Sequence, residues 1–155
     1  AQYTYTFTGW TPTVAETVTA DATYVAPWSA NADTKYTVEY YYMADGAYPA
    51  TATSSVVRSG QTDTQASVTD DDKTPNDTAK FALDADAANV FDGNIAGDGS
   101  LVLKVFFKQQ LAVKYQPGEH GTFEEQTTSA IDYGADTPAA PEATGEAGYT
   151  FTGWT

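Results

Sequence analysis

The strongest fold signal in the chain is the run Leu101-Val102-Leu103-Lys104-Val105-Phe106-Phe107-Lys108. Alternate residues of a β-strand face opposite sides, so Leu103, Val105 and Phe107 would share an apolar face and the two lysines would lie on the other. Asp98-Gly99, just before the run, is a dipeptide typical of hairpin turns. The run therefore predicts a strand with one face in a hydrophobic core.

The same alternation recurs on both sides of this run. Tyr36, Val38, Tyr40 and Tyr42 would share one face of a strand, with Thr37, Glu39 and Tyr41 on the other. Further strands are predicted at 54–59, 64–69, 111–115 and 127–131. Helical signals are limited to a turn or two near 84–90 and 14–18. The sequence predicts a mainly β fold, α+β at most, with little helix.

A heptapeptide occurs twice in the chain, as Tyr5-Thr6-Phe7-Thr8-Gly9-Trp10-Thr11 and as Tyr149-Thr150-Phe151-Thr152-Gly153-Trp154-Thr155. Matched positions that include Trp, Phe, Tyr and Gly are not expected to recur by chance. The offset of 144 residues (149 minus 5) indicates one period of a tandem array. Such arrays typically serve for reach, spacing or multivalent display, so we expect the function to reside in the array.

Composition favours a non-catalytic extracellular protein. The net charge of −14 disfavours nucleic acid and anionic membrane surfaces as partners, because like charges repel. The chain has no cysteine, which excludes disulfides, thiolate zinc sites and thiol nucleophiles. No stretch approaches the roughly 18 apolar residues that span a bilayer, so membrane insertion is not expected. Targeting signals of a secreted parent would lie outside this segment.

The pattern predicts two kinds of small β module in tandem. The ends of the chain fall inside one kind of module, not at a module boundary. Residues 1–29 would be the C-terminal part of a module from the preceding period, 33–110 a complete module, and 111–155 the N-terminal part of the next, after a short joint at Gln109-Gln110. Because the first heptapeptide is followed by Tyr24 to Trp28, we expect it to complete the sheet of 111–148 and the terminal copy to be displaced. The sheet of 111–148 could be completed within one chain or, by head-to-tail association, between two chains, and the sequence leaves both alternatives open.

Residues 111–148, continued by 5–11 and closed by 22–28, resemble the internalin-type B repeat, also called the Listeria-Bacteroides repeat. That family has a Tyr-Gly, a Gly-Tyr-x-Phe-x-Gly-Trp and a closing Tyr-x-Ala-x-Trp, and here Tyr133-Gly134, 148–154 and 24–28 fill those places. Pro27 departs from the pattern, since a less constrained residue is usual there. The resemblance implies a small β-grasp-like fold found in surface adhesins.

Residues 33–110 are similar to mucin-binding-protein-like (MucBP) and streptococcal tandem repeats. The similarity rests on the opening aromatic strand 36–42, the segment 70–75 and the closing apolar strand 99–108. It implies a second β-grasp-type module from cell-wall-anchored proteins, without establishing ligand binding for this copy.

Together the two resemblances imply a stalk segment of a bacterial cell-surface adhesin. Its partners would be neighbouring repeats of the same protein, and the parent would be anchored to the cell wall through parts outside this segment. The alternative is a module that binds mucin or host glycans, with repetition providing avidity.

Sequence alone gives few candidate site residues. Tyr41, on the Glu39 face, is the best candidate for an exposed contact to a sugar, whereas Trp10 and Trp28 are interpreted as core residues. His120, the only histidine, falls in the polar turn 118–121, and adjacent glutamates at 124–125 would point to opposite faces of a strand. No catalytic residue and no enzymatic activity are predicted.

Calcium is the one cofactor with a sequence signal. Asp92, Asn94 and Asp98 could supply some of the six to eight oxygen ligands of a calcium ion, but the distal glutamate of an EF-hand loop is missing. Asp, Asn and Gly are also the ordinary residues of turns, which is the preferred interpretation.

Overall fold

The computed structural model describes residues 5–154; residues 1–4 and Thr155, at the ends of the predicted ranges 1–29 and 111–155, lie outside the described residues. The fold is mainly β, as predicted. The strands in chain order are β1 (Tyr5–Phe7), β2 (Trp28–Ala30), β3 (Thr34–Tyr42), β4 (Ser54–Gly60), β5 (Gln65–Ser67), β6 (Phe81–Leu83), β7 (Asp92–Asn94), β8 (Val102–Tyr115) and β9 (Gln126–Asp132).

Helix is confined, within residues 5–154, to a 3-10 turn at Asp71–Lys73. The predicted helical turns near 84–90 and 14–18 are wrong. At the first of these, Asp84 accepts a hydrogen bond from the backbone of Asp86, and the Asn89 side chain donates to the Asp84 carbonyl oxygen. Short polar side chains that bond the local backbone in this way compete with helix formation.

The main sheet is built around β3 and β8. Its order is β4-β3-β8-β6, and β9 pairs with the far end of β8. β3 is antiparallel to β4 but parallel to β8, with Thr37 opposite Val102 and Tyr42 opposite Phe107. β8 has 14 residues and, at a rise of about 3.3 Å per residue, is about 46 Å long. Two small sheets, β1-β2 and β5-β7, accompany it.

The core lies where β3 and β8 meet. Val38, Leu103, Val105 and Phe107 are fully buried, which confirms the apolar face predicted for 101–108. Tyr36 joins this core, and Tyr40 and Tyr42 pack against it, while further buried side chains come from the β5-β7 region: Ala66, Val68 and Ile95. Burial of this face supplies most of the driving force for folding the 33–110 region.

The predicted joint at Gln109-Gln110 lies inside β8. Gln109 pairs with Phe81 of β6, and the next residue, Gln110, pairs with Asp132 of β9. The chain therefore leaves one set of partners and meets the next without a break in the strand. The connection between the two regions is a strand, not a loop, although its pairing with β9 shifts register between Leu111 and Val113.

Within a single chain the first heptapeptide does not complete the sheet of 111–148, so completion between chains is the alternative that stays a prediction. Its strand β1 pairs with β2 in an antiparallel ladder, and the Tyr5 hydroxyl donates to Asp63 at 2.5 Å. The terminal copy, which we expected to be displaced, packs against 115–123 through Trp154. The 20 residues between β1 and β2 are far fewer than those between β1 and residue 111, so the local pairing costs less loop-closure entropy.

Candidate functional site

A concave surface lies between the end of β8 and the terminal heptapeptide and forms a cleft. It has a volume of about 840 Å³. Residues 114–121, Phe123, residues 143–145 and residues 149–154 line it. One wall is aromatic, and polar groups line the rest of the cleft.

A tight turn after β8 gives the cleft its floor. The Gly121 amide donates to the Gly118 carbonyl oxygen at 3.0 Å, and His120 has a left-handed φ of 72°. Gly121 forms a bridge with Gly145, and the Thr122 amide donates to Thr144. A Cβ at position 121 would lie 2.8 Å from Cβ of Pro117, so only glycine fits at this position of the turn.

The aromatic wall is centred on Trp154. Its ring lies 5.0 Å from the ring of Tyr115, 5.6 Å from Phe123 and 5.2 Å from Phe151, centre to centre. The Tyr115 hydroxyl donates to the Pro138 carbonyl oxygen at 2.7 Å, which holds the ring in place. Trp154 is 43% exposed, so one face of the cluster remains open to solvent.

His120 lies in the predicted turn and is half-buried. Its ring stacks on Tyr149 with centres 3.8 Å apart, and its Nδ1 atom is 3.0 Å from Oε2 of Glu146. A general base must reach the proton that it abstracts from a nucleophile. The contacts of His120 are with Tyr149 and Glu146, not with a nucleophile, and they hold the turn against the terminal segment.

The two glutamates at 124–125, next to the cleft, are exposed. Glu125 forms an ion pair with Lys114 at 2.8 Å and accepts a hydrogen bond from Gln116. These donors, Lys114 first, lower the pKa of Glu125 below its usual value. The carboxylate is therefore held charged and engaged by its neighbours.

Tyr41 is not an exposed ligand contact, so the prediction of its exposure is wrong. Only 7% of its surface is accessible. Its ring stacks on Phe106 with centres 4.5 Å apart, and its hydroxyl donates to Glu39 at 2.7 Å. Tyr48 packs on the other edge of Phe106, so the second face of the sheet is also covered at this point.

The three predicted calcium ligands each take part in a local structural contact. Asp92 and Asn94 belong to β7, where Asp92 accepts a hydrogen bond from Gln65 of β5. Asp98 accepts the amide of Ser100, in the turn that Gly99 closes with a φ of 73°. Over residues 5–154, no group of three or more His, Cys, Asp or Glu side chains is arranged to hold a metal ion. The turn interpretation accounts for Asp98, and strand pairing accounts for the other two.

The tryptophans, interpreted as core residues, are exposed. Trp10 is 50% and Trp28 59% accessible. They flank Phe7, with ring centres 5.5 Å and 5.6 Å from it, in a cluster covered on one side only. A two-stranded sheet of three-residue strands has too little area to enclose three large rings.

The cleft is not visible in the sequence, because its walls come from segments that are distant along the chain. In the sequence, Tyr115 is the last residue of a predicted strand, and Trp154 belongs to the repeated heptapeptide. Phe123 is the signal that could have found it, because it is a single large apolar residue in the polar stretch 116–126.

No helix within residues 5–154 has the length and apolar character needed to cross a membrane. A scan against protein-family models found no match, and searches of the curated proteins and of the solved structures found none either.

Proposed function

We propose that the chain is a non-catalytic stalk segment of a bacterial cell-surface adhesin, in which each 144-residue period holds a distal binding region away from the cell wall. The observation that carries this proposal is β8, a single strand shared by the sheet of 33–110 and the pairing with β9. A spacer needs joints that transmit force and resist bending, and a shared strand supplies both.

The pairing of β3 with β8 suits a load along the chain. The two strands are parallel, so tension that enters at the start of β3 and leaves at the end of β8 pulls them in opposite directions. Every hydrogen bond of that ladder is then loaded together, whereas an antiparallel hairpin pulled from its open end loses its bonds one at a time. The ladder also carries the four fully buried core side chains named above, so sliding it exposes apolar surface.

Side chains fix the angle at the joint. Lys108 forms an ion pair with Asp132, and Gln110 donates to the same carboxylate at 3.1 Å. The turn at 44–47 rests on Tyr133, and the Asp45 amide donates to Gln109 at 3.1 Å. Both sides of the junction therefore hold contacts across it, which supports a stiff joint.

Gly46 offers a test of this stiffness. It has a φ of 80°, and a Cβ there would lie 3.0 Å from two ring atoms of Tyr133 and nearer still to a third. Gly46→Ala should therefore separate the turn from Tyr133 and lower stability by about 1–2 kcal/mol, through strain and lost packing. Small-angle scattering should then show a broader distribution of interatomic distances, as a bending joint gives.

Gly118→Ala is the matched control, because no atom lies within 4 Å of a Cβ at that position. Its scattering should equal that of the parent chain. Equal profiles for all three proteins would argue against a joint held by Tyr133.

A glycan- or mucin-binding role is the second proposal, and the cleft favours it. Tyr115, Tyr149 and Trp154 line the cleft beside polar groups, and flat aromatic faces pack on the C–H faces of sugars. Binding of the chain to a glycan array, abolished in Trp154→Ala and retained in Trp28→Ala, would support this role. An array without binding would leave the stalk as the sole proposal.

A further inference from the structure

The two copies of the heptapeptide share one local shape. Phe7 and Trp10 meet edge to face at 5.5 Å and 70°, and Phe151 and Trp154 do so at 5.2 Å and 64°. The glycine between each pair has a left-handed φ, 113° at Gly9 and 131° at Gly153. The local sequence therefore fixes an aromatic pair around a glycine that no other residue replaces without strain.

The two copies differ in their partners. In the first, β1 pairs with β2, Trp28 lies 5.6 Å from Phe7, and the Thr8 amide donates to the Pro27 carbonyl oxygen. In the second, Trp154 contacts Tyr115 and Phe123, and residues 149–154 belong to no strand. Each copy thus has the contacts that the other lacks.

Both aromatic pairs also remain half open. Phe7 is 41% exposed, and Phe151 is 52% exposed. A pair that received Trp28 on one side and the Tyr115-Phe123 wall on the other would bury surface that each copy leaves in water. Burial of apolar surface favours that arrangement.

We propose that the cleft beside Phe151 and Trp154 is the docking site for the Trp28 strand of a second copy of this chain, by the contact that joins successive periods of the array. The inference rests on the proposed array. The occupant follows from the register of β1 with β2, in which Phe7 lies opposite Trp28 and Tyr5 opposite Ala30. Since residues 149–151 have the sequence of β1, the same register places Trp28 opposite Phe151.

Docking proceeds by strand exchange. β2 of the incoming copy leaves its own β1 and pairs with the identical segment 149–151, so its local contacts are replaced by equivalent ones. The complex gains the wall formed by Tyr115 and Phe123. Exchange of identical elements is an inexpensive route to association, and this contact joins two different surfaces, so it extends into open head-to-tail chains.

Association costs translational freedom, so it depends on concentration. Each copy carries a net charge of −14, and the repulsion between copies is screened by salt. Sedimentation of the 155-residue chain at increasing concentration should show dimers and then longer species, shifted to lower concentration by added salt.

Two variants separate the surfaces. Trp28→Ala removes the docking strand's anchor and keeps the cleft, whereas Trp154→Ala does the reverse. Each alone should weaken association by about tenfold or more, as expected for an aromatic anchor. A mixture of the two should form a dimer that grows no further, because each pair of chains has only one intact donor and one intact cleft.

Trp28→Phe tests for misfolding, because a ring at this position should restore association. Val57→Ala, on the exposed edge of β4, should associate like the parent chain. A parent chain that stays monomeric at all concentrations, association indifferent to both tryptophans, or a mixture that stays monomeric would each overturn the docking site. Sugar binding lost in Trp154→Ala by a monomeric chain would assign the cleft to a glycan. None of these outcomes depends on the β3-β8 ladder, so the stalk proposal is tested independently by pulling on those two strands.

Discussion

Phe107→Ala should lower the free energy of unfolding by about 3–5 kcal/mol, the range measured when a buried phenylalanine is truncated. Phe107 is fully buried at the centre of β8, and its ring stacks on Tyr42 with centres 4.7 Å apart. The substitution removes apolar contacts and leaves a cavity that the surrounding strands cannot close, because β3 and β8 are held in register by their ladder. Chemical denaturation followed by circular dichroism measures the effect.

Val57→Ala is the control for Phe107→Ala. Val57 lies on β4 of the same sheet and is 64% exposed. Its truncation should change stability by no more than about 0.5 kcal/mol. If both variants changed stability equally, the core would not lie between β3 and β8.

Asp72→Ala should have the second large effect, a loss of about 3 kcal/mol, because it leaves the Arg58 guanidinium without its partner in a partly buried site. Arg58 binds both carboxylate oxygens of Asp72, at 2.6 Å and 2.8 Å, and the side chain of Asp72 is only 4% exposed. The Tyr40 hydroxyl and the Thr69 amide donate to the same carboxylate. Denaturant unfolding of Asp70→Asn supplies the control, since the Asp70 side chain is fully exposed and its loss should be neutral.

The same carboxylate makes stability depend on pH. The hydrogen bonds from Arg58, which outweigh the opposing effect of burial, lower the pKa of Asp72 well below its ordinary value of 3.8. A lowered folded-state pKa contributes stability that is present above the unfolded-state pKa and is lost as pH falls below it. The stability gap between the parent chain and Asp72→Asn should therefore narrow by about 2 kcal/mol between about pH 5 and pH 2. A gap that stays constant over this range would show that the carboxylate is not held charged by Arg58.

Tyr40 adds a dependence at high pH. Burial, followed by its bond to Asp72, raises its pKa to about 12 from 10.0. A raised pKa contributes stability that is present below the unfolded-state value and is lost as pH rises through the folded-state value. The free energy of unfolding of the parent chain, measured by chemical denaturation, should therefore fall more steeply above pH 10 than that of Tyr40→Phe.

Alternation predicts the central strands because one face of each packs into the core, so apolar residues recur at every second position. β3 and β8 were found in this way, with Val38, Leu103, Val105 and Phe107 on the buried face. β6 and β7 were missed because they have three residues each and β7 reads Asp-Gly-Asn, a composition typical of turns. Their strand character comes from the partners that they meet, which a local pattern does not contain.

Periodicity assigns a residue to a face but does not say whether that face is covered. Alternation correctly places Tyr41 on the other face of β3 from Tyr40. Tyr41 is nevertheless buried, because Phe106 and Tyr48 pack over that second face of the sheet. The heptapeptide shows the same limit more directly. Identical residues form a strand at 5–7 and none at 149–151, because only the first copy has β2 beside it.

Single-molecule pulling between two engineered cysteines tests most directly whether β3 and β8 carry load. The chain has no cysteine of its own, so the two handles attach only at the chosen positions. Lys35→Cys with Gln116→Cys places the handles at the start of β3 and beyond the end of β8, so force shears their parallel ladder. Lys35→Cys with Ser59→Cys places them on a directly opposed pair of β3 and β4, so force unzips an antiparallel one. All three positions are exposed.

We expect a clearly higher unfolding force for the pair at 35 and 116 than for the pair at 35 and 59. Equal forces, or a lower force for the pair at 35 and 116, would contradict a stalk that carries load through β3 and β8.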